Sequence, residues 1–218
     1  MKKRIIIALI LLISLTTITS DQKIIFSIFA LKKITIENNS LLKENDIKKS
    51  LEPIYDKNLL QLNNKEIKKI LLQNSLIDSF KIKKKYPNTL EIEIFEKKPI
   101  AILFDKKQKF YISEKIDLID YNMLNIDNNL PYVLGNKDDF KIFYDNLRKI
   151  KFPFNSVKKY ILYENNRWDL ETLNNKTIKL SPQNYKDNLE HYLNLINKKE
   201  FKKYNLYDFR IKNQLILK

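Results

Sequence analysis

Hydrophobic positions along the chain fall into blocks whose period changes, and each change predicts an element. Residues 5–20, IIIALILLISLTTITS, carry no charge and follow Lys2, Lys3 and Arg4. Such a run behind basic residues is addressed to a membrane, with the N-terminus kept in the cytoplasm and the remainder sent across. As a helix it would rise about 24 Å, short of a roughly 30 Å hydrocarbon core. It therefore reads either as an anchor extended by snorkelling of Lys23 and the basic residues, or as a signal peptide cut after Ile18-Thr19-Ser20. A second apolar run at residues 24–30 is too short to span.

Alternation then takes over. Ile34 and Ile36 alternate with Lys33 and Thr35, a strand over residues 31–37 closed by the turn pair Asn38-Asn39. Ile47, Leu51 and Ile54 share one face of a helix over residues 43–52 that stops near Pro53. Ile67, Ile70 and Leu71 share a face of a second helix, opened by Asn63 and Glu66 at capping-box spacing. Phe80 and Ile82 alternate with lysines, and Leu90, Ile92 and Ile94 alternate with Glu91, Glu93 and Phe95. Opposed residues must share a face, which sets Ile82 against Ile92, Phe80 against Ile94, Lys83 against Glu91 and Lys81 against Glu93. An odd loop, Tyr86-Pro87-Asn88, follows from that register. Pro99 offers no N–H, so it ends this ladder and a new strand begins at Ile100.

Past Pro99 strands dominate. Residues 100–104 and 110–112 flank a polar connector, residues 115–121 alternate again, and residues 130–135 form a strand-like segment ended by Gly135, placed in a left-handed turn. Phe140, Phe143, Tyr144, Leu147 and Ile150 recur at helical spacing behind Asp138 and Asp139, which suit a helix N-terminus. Their aromatic stripe is core. Residues 157–163 and 167–180 continue the sheet, with Trp168 and Leu170 facing Leu180 and Ile178 across the odd loop 173–175. Leu189, Tyr192, Leu193 and Ile196 mark a last helix, and residues 206–218 close the chain as a strand pair or one long strand with an open far edge.

Composition narrows the chemistry. The chain has 218 residues, 44% of them hydrophobic, enough for one or two domains with cores. With no cysteine and one histidine, thiol catalysis, disulfides, zinc fingers and iron–sulfur clusters are excluded. The single glycine excludes P-loops and dinucleotide fingerprints. His191 lies in a helical pattern, and a Ser-His-Asp arrangement would need it in a cleft. No local carboxylate constellation favours acid–base work, so the chain reads as a non-enzyme without catalytic residues, metal or cofactor. Its net charge of +15 would suit nucleic acid or anionic lipid. The lysines, however, scatter through every segment, and a membrane-directing N-terminus argues against nucleic acid. Arginine is rare here, which singles out Arg167 and Arg210: a bidentate fork is a reason to keep arginine where lysine would otherwise serve. Arg167 is expected to pair with a carboxylate in the second half.

Four local patterns occur in order. Tyr86-Pro87-Asn88-Thr89-Leu90 leads through an alternating strand to Glu96-Lys97-Lys98-Pro99-Ile100-Ala101; Leu130-Pro131 runs to Gly135; Arg167-Trp168 adjoins a hairpin; Asp208-Phe209-Arg210 lies near the end. Together, behind a membrane-directed segment, they resemble the FtsQ/DivIB family of cell-division proteins over nearly the whole chain. Glu37 followed by Asn38-Asn39, and Asn175, stand where that family usually has glycine, and asparagine tolerates left-handed backbone better than most residues.

The resemblance implies an α+β chain. A basic tail and transmembrane helix would occupy residues 1–23, a POTRA domain of βααββ order residues 24–98, and a mostly antiparallel β domain with two helices residues 99–218. It favours the uncleaved anchor and implies a single-pass scaffold of the bacterial inner membrane at the division septum. That scaffold would bind division membrane proteins of the FtsB and FtsL type by strand addition at the β domain. By position, Arg210, Ile211, Leu215, Ile216 and Leu217 would line the contact, although Ile211, Leu215 and Leu217 would equally serve as inward packing. The POTRA sheet edge would be a second docking surface, likewise read from the family. Tyr86, Pro87, Leu90, Glu96 and Pro99 would form the joint between domains. The alternative, a POTRA-bearing chaperone of envelope assembly, would show repeated POTRA units or barrel strands, and neither pattern appears.

Overall fold

The computed structural model describes residues 2–17, 27–123 and 129–218. The expected cleavage site at residues 18–20, Lys23 and the start of the second apolar run lie outside the described residues. Helix α1, Lys2–Thr17, has 16 residues, and no described helix is long and apolar enough to cross a membrane. The expected transmembrane helix is therefore not found among the described residues, because at 1.5 Å per residue α1 rises only about 24 Å. The chain divides into two compact units, Met1–Glu96 and Lys97–Lys218.

In the first unit, β1 (Lys33–Glu37), α2 (Glu44–Ser50), a 3₁₀ turn (Glu52–Ile54), α3 (Asn64–Leu71), β2 (Ile77–Lys85) and β3 (Thr89–Glu96) follow in order. The sheet order is β1-β3-β2, with β1 parallel and β2 antiparallel to β3. Ile82 opposes Ile92, Phe80 opposes Ile94, Lys83 opposes Glu91 and Lys81 opposes Glu93, leaving residues 86–88 as the loop. Leu90, Ile92 and Ile94 are buried with Ile47, Leu51, Ile54, Ile67 and Leu71 from the helical layer. The Asn63 side chain caps α3 by accepting from the Lys65 N–H at 2.9 Å, while Glu66 pairs with Lys57. Asn38 adopts φ 63° just past β1, and its amide donates to the Ile94 carbonyl at 2.9 Å.

The second unit holds β4 (Pro99–Asp105), β5 (Gln108–Ser113), β6 (Leu118–Asp120), β7 (Tyr132–Leu134), α4 (Lys137–Lys149), β8 (Val157–Leu162), β9 (Trp168–Thr172), β10 (Thr177–Lys179), α5 (Tyr185–Ile196), β11 (Leu206–Asp208) and β12 (Ile216–Leu217). Nine strands make one sheet in the order β12-β11-β10-β9-β8-β7-β4-β5-β6. The sheet is more mixed than expected: β4 with β7, β7 with β8, and β10 with β11 are parallel. The reason is connectivity, since α4 and α5 intervene between β7 and β8 and between β10 and β11, and a crossover delivers a parallel neighbour. Leu103, Val133, Tyr160, Leu170, Ile178 and Tyr207 form one buried row across six strands, and Phe140 and Leu147 of α4 and Leu189 and Tyr192 of α5 pack in the same core. Ile178 faces Leu170, and Asn175 takes φ 57° in the odd loop.

Gly135 departs from expectation, because its φ is not positive. A Cβ there would lie 2.9 Å from the Leu162 Cβ and 3.6 Å from the Trp168 ring. Close packing, not backbone freedom, requires this glycine.

Candidate partner-binding site

The last strand pair builds an open edge. β11 runs parallel to β10, with Tyr207 opposite Ile178 and Asp208 opposite Lys179. The chain turns through residues 209–215, Asn213 supplying a left-handed φ of 60°, and returns as β12 with Leu217 opposite Tyr207 and Ile216 opposite Asp208. Leu206 and Lys218 exchange backbone bonds, the Leu206 N–H at 2.9 Å and the Lys218 N–H at 3.3 Å. Bonded and non-bonded pairs alternate along an antiparallel ladder, so the Leu217 N–H and C=O point away from β11. As β12 ends the sheet order, they face an edge that no strand among the described residues occupies.

Side chains on this edge divide by face. Leu215 and Leu217 pack against the core, whereas Ile211 and Ile216 stay 50% and 38% exposed. Inward packing thus accounts for Leu215 and Leu217 and not for Ile211. Arg210 folds back on Asp208, its Nε 2.9 Å from Oδ1 and 3.0 Å from Oδ2, and its Nη2 2.6 Å from Oδ2. Those bonds hold the Asp208 carboxyl below its ordinary value against the opposing effect of burial. Arg167 makes a second fork on Asp169, at 3.1 and 3.4 Å, and stacks 4.1 Å from the Tyr163 ring centre. Burial pushes the Asp169 carboxyl up, and Arg167 offsets this only in part. Lys179 lies in register between the two aspartates. Sequence reasoning expected a carboxylate for Arg167 without finding it. The signal was the i, i+2 spacing in Arg167-Trp168-Asp169 and Asp208-Phe209-Arg210, which puts each pair on one strand face.

Beside the hairpin is a cleft of about 450 Å³, lined by Asp187, Asn188, His191, Phe209, Ile211 and Leu215 among others. His191 does sit in a cleft, with its ring 5.7 Å from Phe209, but the nearby Ser181 hydroxyl donates to Asn188 Oδ1 at 2.9 Å. Among the described residues no group of three or more His, Cys, Asp or Glu could hold a metal ion.

The residues expected at a domain joint are not gathered in one place. Tyr86 and Pro87 form the loop before β3, Leu90 is buried near its start, and Glu96 ends it. Eight residues of strand put the loop and Glu96 some 25 Å apart, by about 3.3 Å per residue. The Glu96 carboxylate grips residues 40–42, accepting from the amides of Ser40, Leu41 and Leu42 and from the Ser40 hydroxyl at 2.7–3.0 Å. Burial alone would raise this carboxyl, yet the four bonds together hold it below its ordinary value. Pro99 opens β4 opposite Ser113.

Residues 29–97 match the family model for the POTRA domain, FtsQ-type. Cell division protein FtsQ of Rickettsia bellii is 29% identical over 190 residues, 85% of this chain and 71% of that protein. FtsQ of Rickettsia conorii is 28% identical over the same shares, and cell division protein DivIB of Clostridium tetani is 32% identical over 52% of this chain and 37% of that protein. A solved structure, the major extracytoplasmic domain of the trans isomer of DivIB from Geobacillus stearothermophilus, matches 47% of this chain and 92% of that chain at 15% identity and a TM-score of 0.35, too slight a likeness to add weight. Residues 29–97 are a POTRA domain of the FtsQ type, and over most of its length the chain is similar to the cell division proteins FtsQ and DivIB.

Proposed function

We propose that this chain is a non-enzymatic scaffold of the bacterial division machinery, held in the inner membrane by its N-terminal segment with the N-terminus cytoplasmic. It gathers division membrane proteins of the FtsB and FtsL type at the septum by accepting a strand beside β12. The supporting observation is the open edge itself: Leu217 directs an N–H and a C=O outward, next to exposed Ile216 and Ile211. An added strand gains main-chain hydrogen bonds there, and its alternate side chains meet Ile216 on one face and Leu217 on the other. Arg210, fixed on Asp208 yet 43% exposed at its side chain, keeps donors for a carboxylate of the partner. Glu96 and Pro99 serve structure, the first by fixing residues 40–42 and the second by starting a strand without an N–H to satisfy.

Capture of an FtsB-type partner from detergent-extracted membranes tests this. Full-length protein should retain the partner, and Leu217→Pro, which removes one edge donor at a position where proline is tolerated, should lose it. Undiminished capture by Leu217→Pro and by a chain lacking residues 211–218 would sink the edge assignment.

A further inference from the structure

One end of the POTRA sheet gathers exposed apolar side chains that its core does not use. Ile28 and Leu60 are each 50% exposed and Tyr86 is 56% exposed. The Phe29 ring stands edge-on to Tyr86 at 6.1 Å. Backbone bonds fix this grouping: the Leu59 N–H donates to the Phe29 carbonyl at 2.7 Å and the Lys32 N–H to the Asn88 carbonyl at 2.9 Å. Segment 28–32, loop 57–60 and the tip of the β2–β3 hairpin therefore form one surface. Lys32 and Lys33, both exposed, flank it.

Two further facts say what covers this surface. It is the part of the domain joined to α1, through residues 18–27. Ten residues reach at most about 36 Å, so a membrane-held α1 keeps the patch close to the bilayer. Tyrosine beside aliphatic groups and lysines is also the chemistry of the lipid headgroup region, where an amphipathic ring and an ammonium both find partners.

We propose that this end of the POTRA domain seats in the headgroup layer of an anionic bilayer, with Ile28, Phe29, Leu60 and Tyr86 entering the interface and Lys32 and Lys33 meeting lipid phosphates. The proposal rests on the membrane anchorage put forward above. The opposite end of the sheet, where Leu72 is 47% exposed, stays in water, since the nine residues of β2 separate the two by about 30 Å.

The absence of cysteine allows a unique label. Full-length Leu60→Cys and Leu72→Cys proteins, each carrying a polarity-sensitive fluorophore, are reconstituted into phosphatidylglycerol–phosphatidylethanolamine vesicles containing a shallow spin-labelled lipid. Expected is strong quenching at position 60 and none at position 72. Replacing Lys32 and Lys33 by Gln should lower the seated-to-lifted ratio about fivefold for each lysine. A label at position 60 that stays as hydrated as one at position 72, in protein that resists carbonate extraction, overturns the seating and leaves the anchorage standing. A label at position 60 that is hydrated in these vesicles but shielded in native membranes assigns the patch to a protein and likewise overturns it. Release of the protein by carbonate defeats the anchorage, and the seating falls with it.

Discussion

At the edge of the POTRA sheet, β2 runs for nine residues and sets Lys81, Lys83 and Lys85 on its solvent face. At the end of the nine-stranded sheet, β12 has two residues, both apolar. The lysines of β2 pair inward along the face, Lys81 with Glu93 at 3.1 Å and Lys83 with Glu91 at 4.0 Å, and Lys81 also lies over the Phe95 ring. A long edge offers many registers to any passing strand, and charge on it discourages them all. A two-residue edge offers one register and leaves affinity to the side chains around it. Length and charge together thus set the β2 edge, whose lysines disfavour an added strand, apart from the edge proposed here as open.

The comparison breaks most sharply at β12. Leu217→Pro should weaken capture of the membrane partner about hundredfold, near 2.7 kcal/mol, by removing a donor and stranding its acceptor. Hydrogen exchange in β9 and β10 should be unchanged by it, since β12 is hydrogen-bonded to neither strand.

A smaller effect separates the two sheets. Glu96→Ala strands the Leu42 amide, only 8% exposed with its residue, and should cost the POTRA domain about 2 kcal/mol. Faster exchange in β1 and β3 with unaltered partner capture would read this out. The same carboxyl gives a pH dependence. Its value is lower folded than unfolded, so the unfolded chain binds the proton more readily and stability falls with acidity. The contribution is complete above the ordinary value of about 4.5 and drains away as pH falls through the lower folded value. Glu96→Gln should flatten that acid slope.

Replacing Lys81, Lys83 and Lys85 together by Thr should cost little stability, because solvent screens the exposed pairs they make. Its informative readout is sedimentation, where the variant should begin to self-associate through β2. The smallest change is Arg210→Lys, expected to weaken partner capture several-fold by trading a fixed fork for a point charge. If the variant lacking Lys81, Lys83 and Lys85 showed no self-association, charge on that face would not be what guards the edge.

Features set by strict alternation were legible beforehand. The register of β2 on β3 and of β9 on β10 follows from period-two patterning and odd loops, and the left-handed asparagines at 38 and 175 fall where the resembled family usually has glycine. Contacts between residues distant in sequence were not legible. Nothing local joins Glu96 to residues 40–42, or announces that β7 would lie between β4 and β8. Arg167 and Arg210 stood out by rarity, and the aspartates holding them, two residues away in each case, were within reach of the sequence but were not named from it.

Gly135 has a consequence for the inverse problem of choosing a sequence for this backbone. A glycine-seeking procedure guided by φ would place glycine at the eight described left-handed positions, including Lys106, Ile116 and Lys151, and alanine at 135. The actual chain does the reverse. A side chain can occupy left-handed backbone for about 1–2 kcal/mol, less for asparagine, whereas nothing larger than hydrogen fits beside the Leu162 Cβ without displacing it. When glycine is scarce, shared volume decides where it stays.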